Sequence, residues 1–138
     1  MANKINYGLQ KVPKKTKPLK EIDKYWGNMK TLFEGEEYTV KRIFMNAGSQ
    51  SSLEYHTKKR ESYFIEKGRL KVGVRIGRAE NRSLILEEGE ILHIPIGLMH
   101  MRMAIEDTVI IEVSTKDDDG DSHIVEDGKS YKHIEEEI

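Results

Sequence analysis

The chain has 138 residues, which is enough for one ordinary domain with a buried core and too few for two. Charged side chains make up 34% of it, but the formal net charge is only -1, so no overall field favours nucleic acid or a membrane surface as the partner. The absence of cysteine excludes disulfides and thiolate chemistry. No apolar run is long enough to cross a bilayer, so we expect a cytoplasmic protein. The balanced charge favours a small molecule as its partner.

Two segments of opposite charge flank the body of the chain. Residues 1–24 are rich in lysine, contain Pro13 and Pro18 and show little apolar periodicity, which predicts an extended basic arm. Residues 117–138 carry two acidic runs and predict an acidic segment that packs on or beside the body, residues 25–116. The two segments could attract each other, within a chain or between chains, or could simply be solvated ends.

The body consists of short apolar or alternating runs separated by glycines. These runs predict β-strands at residues 38–44, 62–65, 70–76, 83–86, 91–94 and 109–113. No long stretch repeats a helical period with caps. Many short strands with regular turns predict an all-β sandwich or barrel, since closing the sheet removes exposed edges.

Four side chains form a candidate metal site. Glu54 and His56 are two residues apart, so in a strand they share a face, with backbones about 6.5 Å apart. Glu61 follows a short polar turn, and the chain could turn back to aim it at the same point. His100 comes much later and could join the others only in a closed fold. Taken singly, Glu54 is more typical of a solvated surface acid than of a metal ligand, and His56 and His100 are each more typical of a hydrogen-bonded or exposed histidine.

The spacing of glycine, proline and candidate ligands resembles the two motifs of the cupin superfamily, G-x5-H-x-H-x4-E-x6-G and G-x5-P-x-G-x2-H-x3-N. The matching residues are Gly48, Glu54, His56, Glu61 and Gly68, followed by Gly89, Pro95, Gly97 and His100. The resemblance implies a cupin (RmlC-like) jelly-roll β-barrel in which the four candidates bind one divalent metal ion. Two positions depart from the pattern, because Glu54 replaces the first histidine and Ala104 the closing asparagine.

Two carboxylates and two imidazoles can neutralise a divalent ion, and their hard oxygen atoms favour Zn, Mn, Fe or Ni over copper. Zinc is our first expectation.

Around these motifs, residues 25–131 resemble the cupin domain of type II mannose-6-phosphate isomerases, which often follows a mannose-1-phosphate guanylyltransferase domain. The landmarks are Tyr25, Trp26 and Gly27, Tyr38 with Val40, Lys41 and Arg42, Ile94 to Gly97, Glu112 and Val113, and Asp121 with Ile124 to Glu126. The resemblance implies isomerisation of a sugar phosphate. Because this chain has no nucleotidyltransferase domain, we do not expect the guanylyltransferase activity to carry over.

Aldose–ketose isomerisation needs a Lewis acid, a base that moves a proton between neighbouring carbons, and cations for the phosphate. We expect the metal to supply the first. The predicted catalytic residues are His93 as base, with Glu112 as an alternative, and the cations Lys41 and Arg102. The predicted substrate-binding residues are Lys59, Arg60 and Tyr63.

Two other classes of function fit the same residues. A non-catalytic, metal-containing cupin could bind a sugar or sugar phosphate for another protein. An iron-dependent cupin oxygenase could use open positions on the metal for dioxygen. Since cupins often pair through outer strands, we also predict a homodimer.

Overall fold

The computed structural model describes residue 8 and residues 11–78 and 80–128. This part of the chain forms eleven β-strands and one short 3-10 turn at Asp119–Asp121. The strands are β1 Lys20–Lys24, β2 Gly27–Glu34, β3 Thr39–Met45, β4 Leu53–Tyr55, β5 Glu61–Lys67, β6 Leu70–Ile76, β7 Glu80–Leu86, β8 Ile91–Ile94, β9 Met99–Ala104, β10 Thr108–Ser114 and β11 His123–Glu126.

The strands make two antiparallel sheets, ordered β1-β2-β3-β10-β5-β8 and β11-β4-β9-β6-β7. One apolar core joins them, because buried Ile43, Ile65 and Ile110 of the first sheet pack in the same cluster as Leu70 and Val72 of the second. The expectation of an all-β jelly-roll barrel is therefore confirmed.

Strand alternation decides which side chains enter the barrel. In β3 and β10, every second residue is buried, which turns Lys41 and Glu112 inward with the apolar residues. Glu112 is paired in register with Lys41 on one side and with Tyr63 of β5 on the other. Two residues further along each strand, the inward row is Ile43, Ile110 and Ile65. The interior thus changes from apolar to charged along the strands.

Both flanking segments contribute strands. β1 lies at the end of the predicted basic arm and pairs with β2, and β11 lies in the predicted acidic segment and pairs with β4. Residues 1–7, 9–10 and 129–138 lie outside the described residues, and with them Lys4 of the arm and the second acidic run, Glu135, Glu136 and Glu137. In the described ranges, no helix is both long and apolar enough to span a membrane.

Candidate metal centre and its cavity

The pairing of β4 with β9 brings together residues 46 positions apart in the sequence. Glu54 and His100 lie directly opposite each other in this pair, and His56 follows two residues after Glu54. One ligand atom from each of the three side chains lies within 4.8 Å of the other two. Both histidines are buried and Glu54 is partly exposed. These three residues form a potential metal-binding triad.

Glu61 reaches the triad from β5 of the opposite sheet. Its Oε1 atom lies 2.9 Å from Nε2 of His100 and 3.4 Å from Nε2 of His56. Burial raises the pKa of Glu61, but the two imidazoles and Lys59 outweigh burial and hold that pKa well below its ordinary value. Glu61 is therefore an anionic oxygen donor beside both rings.

Backbone carbonyls fix the direction of both imidazoles. Nδ1 of His56 lies 3.0 Å from the carbonyl oxygen of Asp121, and Nδ1 of His100 lies 2.8 Å from that of Leu98. A carbonyl only accepts hydrogen bonds, so each Nδ1 must carry the proton. In a neutral ring, Nε2 then presents a lone pair. This is how proteins commonly orient a metal-binding histidine.

The two Nε2 atoms are buried and make no hydrogen bond of good geometry. In neutral rings their lone pairs face the Oε1 atom of Glu61, which also carries lone pairs, so the contact is repulsive unless a proton or a metal ion lies between them. Burial lowers the pKa of His56, but Glu61 raises it above its ordinary value, which shows how strongly this carboxylate favours a positive charge there. One shared proton would satisfy only one of the two rings. A divalent ion would satisfy both rings and the carboxylates together, so the residues present fit a metal.

A buried carboxylate holds the turn between β4 and β5. Asp121 accepts hydrogen bonds from the Thr57 hydroxyl at 2.6 Å and from the backbone N–H groups of Thr57, Lys58 and Lys59 at 2.8, 2.9 and 3.0 Å. Burial raises the pKa of Asp121, but these four donors together lower it far below the ordinary value. Asp121 therefore fixes both the His56 ring, through its carbonyl, and the turn that carries Lys59.

Gly97 joins the two halves of the predicted motif. Its N–H donates to the carbonyl oxygen of His56 at 2.8 Å, and its φ of +87° lies in the left-handed region that favours glycine. The glycine of the second motif thus anchors a ligand of the first.

Glu54 of the triad and the neighbouring Glu61 line a cavity of about 390 Å³, whose walls are formed largely by charged side chains. Four are cationic and five anionic: Lys24, Lys41, Lys59 and Arg102, and Glu54, Glu61, Glu112, Asp117 and Asp119. Nζ of Lys59 lies 3.1 Å from Asp117, 3.6 Å from Glu61 and 3.9 Å from Glu112. Burial lowers the pKa of Lys59, but these carboxylates, Glu112 first, raise it above its ordinary value.

Arg102 shares the inward face of β9 with His100. Its guanidinium carbon lies 5.1 Å from the ring centre of Trp26 and 5.7 Å from that of Tyr63, which are favourable cation–π distances. Its Nη1 atom is buried and has no hydrogen-bond partner, because Oε1 of Glu112 is 3.9 Å away. The arginine is thus held by aromatic faces with part of its donor set unused.

Glu112 is the cavity residue best suited to exchange a proton. Burial, followed by the nearby charge of Glu61, raises its pKa above the ordinary value, although Lys59, Lys41 and Arg102 pull it down. A carboxyl group with a raised pKa can both accept and return a proton closer to neutral pH.

His93 and Arg60 do not line this cavity, contrary to our expectation. His93 is exposed on the outer face of β8, where its Nδ1 lies 2.6 Å from the Ser62 hydroxyl. Arg60 precedes the inward Glu61 and is also exposed, and both line an outer groove of about 630 Å³. Strand alternation is the physical reason, since neighbours of inward residues point outward.

Tyr63 is buried behind Glu61 and its hydroxyl donates to Oε1 of Glu61 at 3.0 Å, so it supports a candidate ligand. Sequence reasoning gave no functional role to Asp117 or to the side chain of Asp121. The partners of both lie more than fifty residues away, so no local pattern could have identified them.

Comparisons with known proteins agree with this geometry. The sequence model of the family described as "Cupin" matches residues 28–138. The chain belongs to the cupin family. Two curated relatives are mannose-1-phosphate guanylyltransferase 2 of Escherichia coli O157:H7, 28% identical over 116 residues, and mannose-1-phosphate guanylyltransferase of Sinorhizobium fredii, 32% identical over 75 residues. The matches cover 83% and 54% of this chain but only 23% and 14% of those proteins.

Solved cupin structures share the fold at low sequence identity. The capsular polysaccharide assembling protein CapF of Staphylococcus aureus matches 80% of this chain and 32% of its own, with a TM-score of 0.71 and 18% identity. Oxalate decarboxylase of Bacillus subtilis matches 75% of this chain and 29% of its own, with a TM-score of 0.64 and 16% identity. At these identities the likeness shows the fold alone.

Proposed function

We propose that this cupin binds a divalent metal ion and a sugar phosphate, and interconverts aldose and ketose phosphates of the mannose-6-phosphate type. One observation carries the proposal: the candidate metal ligands Glu54 and Glu61 line the same cavity as three buried cations, Lys41, Lys59 and Arg102. Buried cations grouped beside a metal site suit a substrate that offers a phosphate and oxygen ligands together.

The curated relatives support the substrate class. Their names refer to a sugar phosphate, mannose 1-phosphate, and the match covers most of the barrel. The chain spans less than a quarter of the length of either relative, so the activity that those names describe is not transferred to it.

We assign the following roles to the cavity residues. A bound divalent ion would polarise the substrate's carbonyl and hydroxyl oxygens. Lys41, Lys59 and Arg102 hold the phosphate and thereby orient the sugar. Glu112, opposite Lys41 on the inner face, takes the proton from the carbon that bears the hydroxyl and returns it to the former carbonyl carbon, while the hydroxyl proton passes to the former carbonyl oxygen. This assignment replaces His93, which faces outward.

The four proposed metal ligands are Glu54, His56, Glu61 and His100. We expect zinc, with manganese, iron or nickel as alternatives, because two imidazoles and two carboxylates suit each of these ions.

A non-catalytic sugar-phosphate-binding cupin is the second candidate. It is favoured by the pairing inside the cavity, where Glu112, the proposed base, lies within 3.9 Å of both Lys59 and Arg102. Such cationic neighbours stabilise the carboxylate and weaken it as a base.

The test is elemental analysis of the purified protein, followed by a coupled assay of mannose 6-phosphate conversion to fructose 6-phosphate with metal fully loaded. Turnover with about one metal ion per chain supports the isomerase. Binding of mannose 6-phosphate without turnover favours the second candidate, and oxygen uptake with iron at the site favours an oxygenase.

The cytoplasmic location and the homodimer stay predictions. The outer face of the six-stranded sheet exposes Phe64, Ile91 and Val113, an apolar surface that a second copy could cover. Sedimentation should give a mass twice 16.0 kDa, and a mass of 16.0 kDa would exclude the dimer.

A further inference from the structure

A carboxylate of the protein lies between two of the cations that we assign to the substrate phosphate. Asp117 belongs to the loop between β10 and β11, which passes from one sheet to the other beside the cavity. Its Oδ2 atom lies 2.8 Å from Nζ of Lys41 and its Oδ1 atom 3.1 Å from Nζ of Lys59. Two oxygens of one anionic group thus contact two buried ammonium groups, as two phosphate oxygens would.

The lysines need such a partner, whereas the two residues next to Asp117 hold the loop only through exposed ion pairs. The loop has firmer anchors at Thr115, whose N–H donates to the carbonyl oxygen of Arg60, and at Asp121. Lys41 and Lys59 are each only 7% exposed, and buried lysines are rare unless they are paired. Next to Asp117, Lys116 contacts the exposed Glu36, and Asp118 lies 3.9 Å from the exposed Lys58. Exposed ion pairs of this kind contribute little stability. Another anion could therefore replace Asp117 at a small cost.

Arg102 provides an independent sign of a missing anion in the same cavity. It is 9% exposed, lines the cavity, and keeps Nη1 buried without a hydrogen-bond partner. An unsatisfied guanidinium donor is costly, and a phosphate oxygen is a strong acceptor for it. Asp117 has no ion pair with Arg102 among the described contacts, so its carboxylate pairs with the two lysines but not with the arginine.

We infer that Asp117 is an internal substitute for phosphate, and that a phosphate monoester binds Lys41, Lys59 and Arg102 by displacing it. The ligand class rests on the proposed function, whereas the displacement does not depend on turnover. Charge supports the exchange: the cavity lining carries one excess negative charge, a divalent ion would reverse its sign, and departure of Asp117 would make it more positive. Competition by Asp117 lowers the apparent affinity for the ligand.

The test compares Asp117→Asn with Asp119→Asn in the metal-loaded full chain, using inorganic phosphate in titration calorimetry. Both changes remove one negative charge from the same cavity, but only Asp117 pairs with the lysines. We expect Asp117→Asn to bind phosphate about tenfold more tightly and Asp119→Asn to differ from wild type by less than about twofold. Adding Lys41→Gln to Asp117→Asn should remove the gain. Equal gains in both single variants, or none in Asp117→Asn, would overturn the inference.

A second measurement on the wild-type protein covers the case in which Asp117→Asn does not fold. Hydrogen exchange of residues 115–118 should be faster in phosphate than in chloride at equal ionic strength, since Asp117 is released. Unchanged exchange at saturating phosphate would refute the displacement. If the isomerase assay fails while these shifts occur, the inference stands; if turnover is found without them, the inference alone fails.

Discussion

Nε2 of His100 lies 2.9 Å from Oε1 of Glu61, while Nδ1 of the same ring faces the carbonyl oxygen of Leu98 at 2.8 Å. This arrangement leaves an imidazole lone pair directed at a carboxylate. His56 repeats it, with Nδ1 on the carbonyl of Asp121 and Nε2 3.4 Å from Glu61. The two buried rings are thus arranged for a cation that both of them share with Glu61.

Replacing the imidazoles should abolish metal retention. We expect the double variant His56→Ala, His100→Ala to fall from about one metal ion per chain to a trace, because the remaining carboxylates provide too few donors to retain the ion. Elemental analysis measures this. His93→Ala is the matched control, since His93 is exposed on the outer face, and it should keep the metal. Stoichiometric metal in the double variant would refute the ligand assignment.

Metal removal should lower the stability of the barrel. The proposed ligands come from both sheets, so an ion bound only by the folded state stabilises it by about 2.7 kcal/mol when free metal is about a hundred times Kd. Thermal unfolding with and without chelator should show the difference in wild type. The double histidine variant should show none, and an equal chelator effect there would place the metal elsewhere.

Asp121→Asn should destabilise the protein by about 2 kcal/mol at neutral pH, because the carboxylate accepts from four donors that an amide cannot satisfy equally. The pKa of Asp121 is lowered in the folded state, so its stabilisation is complete above the ordinary value of 3.8 and is lost as the pH falls through the lowered pKa. Unfolding midpoints of wild type and variant should therefore converge only below pH 3.8. Exposed Asp119→Asn is the control, and convergence at higher pH would contradict the assignment.

Glu112→Gln separates catalysis from binding. Gln keeps the size of the side chain but cannot move a proton, so we expect kcat to fall by about a hundredfold or more while metal content is unchanged. Kinetics and elemental analysis on the same preparation measure both. A variant that keeps full kcat would remove Glu112 from the mechanism.

The resemblance of the glycine, proline and ligand spacing to the cupin motifs brought His100 into the predicted site, since strand alternation alone relates only neighbours within one strand. Side chains that are two positions apart in a strand point to the same face of the sheet. This rule places Glu54 beside His56 and Arg102 on the same side as His100. Short alternating runs and regular glycines predicted an all-β sandwich or barrel, and the resemblance to the cupin motifs implied the jelly roll. We expected His93 to act as the base, but strand alternation turns it outward beside the buried Ile94, so it does not line the cavity.

Asp117 and Asp121 could not be recognised in advance. In the sequence they belong to one acidic run that also contains the exposed Asp118 and Asp119, and nothing local separates the four. Their distinct environments arise only after β11 pairs with β4, which brings the loop against the turn before β5. Long-range pairing, which a single sequence does not show, decides which acids are buried.

The most direct test of the account is an anomalous-difference map from crystals of the protein, collected at the absorption edge of the metal found by elemental analysis. We predict one strong peak, about 2.0–2.2 Å from Nε2 of His56 and of His100 and within bonding distance of Glu54 and Glu61. A metal-loaded crystal with no peak between these side chains, or with the metal on exposed residues alone, would contradict it.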